Sequence, residues 1–283
     1  ESDNLIRMYG FIEHESFDEQ THRLHKHYHV VMELLVGVTL EDLMNGITND
    51  HSGLQIPFAS ELHSQYVNNR DAAVISIMKS VLSGLMILHD KGYIHRDIDP
   101  SNIMITIDRK VKLIDFGICK QIVSLESQDK SLTAAGVFMG KVNYAAPELV
   151  LGDVRSQSYT TDIYAMGILL YQMCAGHLPF SGTDQDILAA NLRQKLPMKD
   201  IHRREFRKVI AKATDKVQGK RYASAAEFRV DLERISPVGQ NSTLGKTRIP
   251  VIAGVTGVAV GVIAAVIILF NGHNGSKTED TTV

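Results

Sequence analysis

The 283-residue sequence has no tryptophan, few prolines and only two cysteines, Cys119 and Cys174. Two cysteines so far apart match no disulfide framework. This excludes a small stapled scaffold and suits a folded part held in a reducing compartment. Cys119 reads as a buried or idle thiol rather than a redox switch. The missing tryptophan carries no comparable exclusion. Charge of one sign is also lacking: the formal net charge is -2, which removes any global pull toward nucleic acid or an anionic membrane surface. No signal-peptide pattern opens the chain, which starts Glu1-Ser2-Asp3. An apolar content of 44% with 22% charged residues is that of a folded protein able to bury a substantial core, as one or two domains.

What is present is ordered along the chain. Leu5 to Glu13 and Tyr28 to Leu35 are strand-like runs whose alternation suits an antiparallel hairpin. The link between them, Glu15 to Lys26, is polar. His22, His25, His27 and His29 fall in or beside it, but no Cys or carboxylate completes a ligand set at helical spacing. A solvated loop accounts for them better than a metal site. Leu40 to Met44 reads as a short helix, and Asn45 to Asn69 as mostly loop. Asp71 to His89 has the spacing of a long amphipathic helix that stops at Gly92. Short strands are predicted over 103–107 and 111–114, and helices over 162–175, 188–193, 205–213 and 225–235. Strands first and helices after indicate an α+β fold with a helical larger lobe.

Ser236 to Arg248 reads as a polar linker. Ile249 to Phe270 then runs 22 residues without a charge. At ~1.5 Å per residue this is ~33 Å of helix against ~30 Å of bilayer hydrocarbon, so a single transmembrane helix is predicted. A polar tail, 271–283, follows it and argues against a lipid-anchor signal. Lys246 and Arg248 flank the amino side, which by the positive-inside rule puts residues 1–235 in the cytoplasm. Gly257 and Gly261 form a small-xxx-small element that offers a face for pairing two such helices.

The chemistry is concentrated in three short segments. His95-Arg96-Asp97 is followed by Asn102, then by Asp115-Phe116-Gly117 and Ala146-Pro147-Glu148. Phosphoryl transfer needs a placed hydroxyl, metal ions on the phosphates and neutralised charge. Asp97 fits the carboxylate that orients an acceptor hydroxyl and takes its proton. Asn102, five residues on, suits a magnesium ion held by Asp115, and the strand pair around Met104 and Ile114 would hold these groups on rigid backbone.

These motifs resemble the Ser/Thr protein kinase family, most closely its bacterial membrane-anchored branch, from Asn4 to about Ile235. The resemblance implies a kinase-like fold with partial N-lobe strands and a complete helical C-lobe. It also implies ATP and Mg2+ as cofactors, a protein hydroxyl as acceptor, and no nucleic-acid partner. It makes Asp97 the catalytic base and Asn102 and Asp115 the metal ligands. Phe116 would pack against His95, Glu148 would pair with Arg221, and Asp162 would brace the catalytic loop. Val31-Met32-Glu33-Leu34-Leu35 resembles the hinge, with Met32 as gatekeeper, Leu35 backbone groups on adenine and Met104 beneath the ring. Arg96 beside Asp97 implies control by phosphorylation in the loop 115–148, where Ser124, Ser127, Ser131 and Thr133 are candidate acceptors.

Two positions depart from the family pattern. Asp99 stands where a lysine is usual, two residues after the catalytic Asp, and Lys141 follows Gly140 where a threonine is usual. The expectation is compensation: Lys141 pairs with Asp99 and brings an ammonium to the γ-phosphate. The alternative is that Asp99 weakens or abolishes catalysis. No glycine-rich phosphate loop, no Val-Ala-x-Lys strand and no αC glutamate is present. Truncation of the N-lobe accounts for this more economically than a kinase-like scaffold that binds partners without transfer.

Overall fold

Backbone pairing joins β1 (Met8–Asp18) and β2 (Arg23–Met32) into an antiparallel hairpin. The computed structural model describes residues 2–18, 23–49, 52–115, 120–121, 141–235 and 268–269. These divide into two units, one holding Ile6–Leu35 and the other Ser2–Leu5 with Val36–Thr247.

In the first unit the strands run on through the stretch predicted to be a polar loop. Glu15 stands opposite Lys26, and Phe17 opposite Leu24. Cross-strand polar pairs carry this extension: Lys26 Nζ is 2.6 Å from Glu13 and 3.4 Å from Glu15, and Ser16 Oγ is 2.6 Å from His27 Nε2. His25, His27 and His29 therefore lie on a strand rather than in a loop, and His22 lies outside the described residues. Ile268 and Leu269 pair with Val30 and His29 of β2. Where the sequence predicts a helix over 249–270, these two residues are extended, because their backbone groups find partners across the strand. The rest of that run, the linker 236–248 and the tail 271–283 lie outside the described residues.

The second unit starts with β3 (Gly37–Thr39) and α1 (Leu40–Asn45). The Thr39 side chain caps α1, accepting from the Asp42 amide at 3.0 Å. Next comes α2 (Pro57–Asn68), in a region predicted to be mostly loop. Pro57 occupies the first turn, where its missing N–H costs nothing. Phe58, Ala59, Leu62 and Tyr66 form a helically spaced stripe against the core. Helix α3 (Arg70–Asp90) follows, ending before Gly92, whose φ of 78° suits a residue without Cβ. Among the described residues α3 alone is long and apolar enough by composition to cross a membrane. Its packing against other elements of this unit is that of a core helix.

The remaining strands are β4 (Tyr93–Ile94), β5 (Ile103–Thr106), β6 (Val111–Leu113) and β7 (Lys120–Gln121). β3, β5 and β6 form one antiparallel sheet, and β4 pairs with β7. The helices that follow are α4 (Pro147–Val150), α5 (Tyr159–Ala175), α6 (Asp184–Arg193), α7 (Arg204–Ala213) and α8 (Ala225–Glu233). α5 and α6 start earlier than their apolar spacing predicts. Capping boxes at Ser158/Thr161 and Thr183/Asp186 set their first turns.

Helix α5 is the centre of the core. Ile163, Tyr164, Met166, Ile168, Leu169, Leu170, Tyr171 and Met173 are all fully buried on it. Such a helix is apolar all round and has no solvent stripe. A Cβ at Gly167 would stand 2.5 Å from Thr214 Cγ2 and 2.8 Å from Ala213 Cβ, so only glycine permits this approach to the end of α7.

A buried ion pair holds α4 to the turn before α8. Arg221 Nη1 and Nη2 donate to Glu148 Oε1 and Oε2 at 2.8 and 3.0 Å. Thr161 Oγ1 adds a bond to Glu148, and Arg221 also donates to the Thr160 and Asp215 carbonyls. The Arg221 partner expected for Glu148 is thus in place. Burial favours the neutral Glu148 carboxyl, but the hydrogen bonds and charge of Arg221 outweigh it and hold its pKa below the ordinary 4.5. The folded pKa is depressed, so this stabilisation is present above pH 4.5 and is lost as pH falls through the folded-state value. Glu148→Ala leaves the guanidinium buried without its carboxylate and is expected to cost about 3–5 kcal/mol. Urea unfolding at pH 7 measures the loss, and it should shrink as pH falls from 4.5 through the depressed folded-state value.

Candidate active site

The site is built on one turn whose position is set by α5. Asp162, in the first turn of α5, is fully buried. Its Oδ2 accepts from the His95 amide at 2.9 Å and its Oδ1 from the Arg96 amide at 2.8 Å. His89 Nε2 lies 2.8 Å from Oδ2, and its ring stacks on Tyr159. These partners offset the cost of burying the carboxylate and hold Arg96 at a left-handed φ of 67°. Arg96 Nη1 also donates to Gln157 Oε1 at 3.4 Å. His95 is fully buried, and burial pulls its pKa down against the opposing charges of Asp162 and Asp97. A neutral ring is consistent with the Asp97 amide donating to His95 Nδ1 at 3.3 Å.

Downstream, Asp99 caps the 3-10 turn Pro100–Asn102, its Oδ1 accepting from the Ser101 amide at 2.7 Å and from Ser101 Oγ at 2.6 Å. Asn102 Nδ2 donates to Asp97 O at 2.8 Å, to Asp97 Oδ2 at 3.0 Å and to Asp99 Oδ2 at 3.3 Å. The Ile114 amide donates to Asn102 O at 2.9 Å, which seats the next residue, Asp115, beside the turn. Asp115 has a φ of 60°, and its charge acts on both Asp97 and His95. Lys141 Nζ lies 2.9 Å from Asp99 Oδ1, 3.0 Å from Ser101 Oγ and 3.3 Å from Glu41 Oε1. Burial acts to lower the Lys141 pKa, but the hydrogen bond and charge of Asp99, with Glu41, hold it above the usual value.

The structure therefore brings Asp97, Asp99, Asn102, Asp115 and Lys141 together within the second unit. Phe116, Gly117, Cys119, Gly140 and the candidate phosphoacceptors Ser124, Ser127, Ser131 and Thr133 lie outside the described residues. Met32 ends β2, and the adjoining Glu33 closes the hairpin mouth, exchanging bonds with Arg7 through its amide and its Oε1. Leu35 is half-buried. These three belong to the first unit, and Met104, half-buried on β5, belongs to the second. Residues not anticipated from sequence include His89, Glu41, Ser101 and Asn191. The helical pattern of α3 ends on His89, and Glu41 follows the Thr39 cap of α1, but nothing local marks their partners 73 and 100 positions away.

The oxygen donors suit magnesium. Asn102 commits its amide nitrogen to Asp97 and Asp99, which fixes the side-chain flip and leaves its carbonyl oxygen as the atom to face a cation. Asp115 adds a carboxylate. Among the described residues no group of three or more His, Cys, Asp or Glu is placed to hold a metal. Magnesium at nucleotide sites takes one or two protein carboxylates and fills its other positions with phosphate and water.

A carboxylate and an amide on one turn, with a second carboxylate beside it, are the kinds of group that phosphoryl transfer calls for. A protein kinase domain model matches residues 1–229. The chain is 31% identical over 233 residues to the serine/threonine-protein kinase PknL of Mycobacterium tuberculosis, covering 80% of this chain and 50% of that protein. To PknB of the same species it is 31% identical over 212 residues, covering 73% and 30%. The chain belongs to the protein kinase family, and it spans at most about half the length of these curated relatives.

Burial raises the pKa of the Asp97 carboxyl above its ordinary 3.8, and the neighbouring charge of Asp99 adds to this against the Asn102 hydrogen bond. Asp97 is thus expected to ionise at higher pH than a free aspartate. Asp99→Asn removes a like charge and should move that titration to lower pH. Carboxyl 13C NMR against pH checks both, and an unmoved titration in the variant would contradict the assigned cause.

Proposed function

We propose that the protein is a serine/threonine kinase that transfers the γ-phosphate of ATP to a protein hydroxyl. The observation that carries this is the bonded set Asp97–Asn102–Asp99 beside Asp115, on a turn held by the buried Asp162. Similarity to the serine/threonine-protein kinases PknL and PknB supports the serine/threonine assignment.

In this reading Asp97 Oδ accepts the hydroxyl proton of the acceptor side chain. As that proton leaves, the oxygen forms its bond to the γ-phosphorus, and the bond to the bridging oxygen breaks, releasing ADP. Asn102 keeps Asp97 oriented through two hydrogen bonds and, with Asp115, would hold Mg2+. The metal, when bound, neutralises charge on the phosphates. By the family resemblance, the hinge residues Met32, Glu33 and Leu35 would seat the adenine. Residues 1–235 form the kinase portion of this proposal; the uncharged run 249–270, with Lys246 and Arg248 on its amino side, supports a single membrane span with that portion cytoplasmic, while the strand pairing of Ile268 and Leu269 opposes a span that reaches them. Gly257 and Gly261 support a homodimer through that span.

The alternative, a kinase-like scaffold without transfer, is favoured by one observation: an acidic residue, Asp99, in place of a cation in the catalytic turn. Phosphate transfer by the full-length protein separates the two. Asp97→Asn is expected to lower kcat by about 10²–10⁴-fold while leaving folding intact. A wild-type protein that binds ATP and partners without any transfer would establish the scaffold instead.

A further inference from the structure

Between Asp97 and Asn102 the catalytic turn carries no positive charge, and the guanidinium of the preceding Arg96 is bonded to Gln157. From Asp97 to Asn102 the residues are Asp, Ile, Asp, Pro, Ser and Asn. Transfer of a phosphoryl group spreads negative charge over three oxygens, and a positioned cation at that place is worth much in rate. The stretch with two carboxylates takes a cation at Asp99 from a distant part of the chain.

The cation joined to it is Lys141, 42 positions from Asp99 in sequence. The two ends of this pair differ. The Asp99 side chain is 2% exposed and the Lys141 side chain 42%, so a fixed carboxylate holds an ammonium that still faces the open side. The Asp99 carboxylate divides its work. Oδ1 takes Lys141, and Oδ2 takes Asn102 Nδ2, which in turn donates to Asp97 Oδ2. Lys141 is thus linked to Asp97 through the side chains of Asp99 and Asn102. The residues that follow it are anchored as well. The fully buried Asn191 of α6 donates to Val142 O at 2.9 Å, and the Tyr144 hydroxyl donates to Gln172 of α5. An exposed lysine is ordinarily loose, but this one stands on a tethered segment with three oxygen acceptors.

We infer that Lys141 is a catalytic residue whose ammonium, located by Asp99 and Ser101, neutralises the phosphoryl group in transfer. Asp99 is then its positioning residue. The charge needed for catalysis travels with the segment before Ala146-Pro147-Glu148, not with the catalytic turn, so transfer requires that segment to be seated. This inference rests on the kinase reading above and adds to it the source of the cation.

The test compares steady-state kinetics of the full-length wild type, Lys141→Met, Lys141→Arg, Asp97→Asn and the charge transposition Asp99→Lys/Lys141→Thr. Lys141→Met should lower kcat about 10²–10³-fold, the loss seen when one transition-state donor is removed. Its KM for ATP should stay within about threefold of wild type, Lys141→Arg should keep at least about a tenth of kcat, and the transposed pair should exceed Lys141→Met about tenfold or more. A Lys141→Met enzyme within about threefold of wild type overturns the inference, as does an Arg variant as poor as the Met variant. The Arg and Met pair decides the matter even where the transposed variant fails to fold. Failure of the kinase reading has a separate signature: a wild type with no transfer, or one that Asp97→Asn leaves unchanged.

Discussion

One buried carboxylate sets the geometry of the whole site. Asp162 is taken entirely out of water and accepts two consecutive backbone amides, those of His95 and Arg96, with His89 on the same oxygen as His95. A carboxylate in that position is costly unless its lone pairs are filled. The partners that fill them are the backbone groups leading into Asp97. Because α5 is packed on every side, the carboxylate cannot retreat, and the turn takes its position from the helix. The left-handed conformation of Arg96 is sustained by this arrangement.

A second ion pair does for the following segment what Asp162 does for the turn. Glu148 and Arg221 bind each other through two oxygens and two nitrogens, and Thr161, on the same helix turn as Asp162, adds a bond to Glu148. The first turn of α5 thus touches both the catalytic turn and the Ala146-Pro147-Glu148 segment. Asn191 and Gln172 extend the anchoring to Val142 and Tyr144. Asp97, Asp99 and Lys141 are consequently placed by contacts that converge on one helix and its neighbour α6.

Much of this was legible in the sequence because the chemistry is written in contiguous motifs. His95-Arg96-Asp97, Asn102 and Asp115 are close in sequence and meet across one short hairpin, so spacing alone brings them near. The long apolar pattern of α3 and the strands β5 and β6 were legible for the same reason. Other features were hidden. The charged and histidine-rich strand segments 15–18 and 23–26 look like a loop, because their stabilisation comes from cross-strand pairs that a single strand does not display. Helix α2 was masked by its polar face, although Phe58, Ala59, Leu62 and Tyr66 carry the period of its buried stripe. The part played by Asn191 depends on a contact 49 positions away and has no local signal. For residues 249–270 the hydropathy predicts a membrane helix, while Ile268 and Leu269 are strand-paired in the structure.

The close approach at Gly167 has a consequence for motion. With Thr214 and Ala213 where a methyl group would go, α5 has no slack along its contact with α7. The His95 and Arg96 amide protons are bonded to a buried side chain on that helix, which ties their exchange to movement of α5. Their exchange with deuterium should therefore track the rarest openings of the protein, while amides of exposed loops exchange by local fraying. The catalytic turn, a loop by conformation, would then share the timescale of the protein's most protected helix.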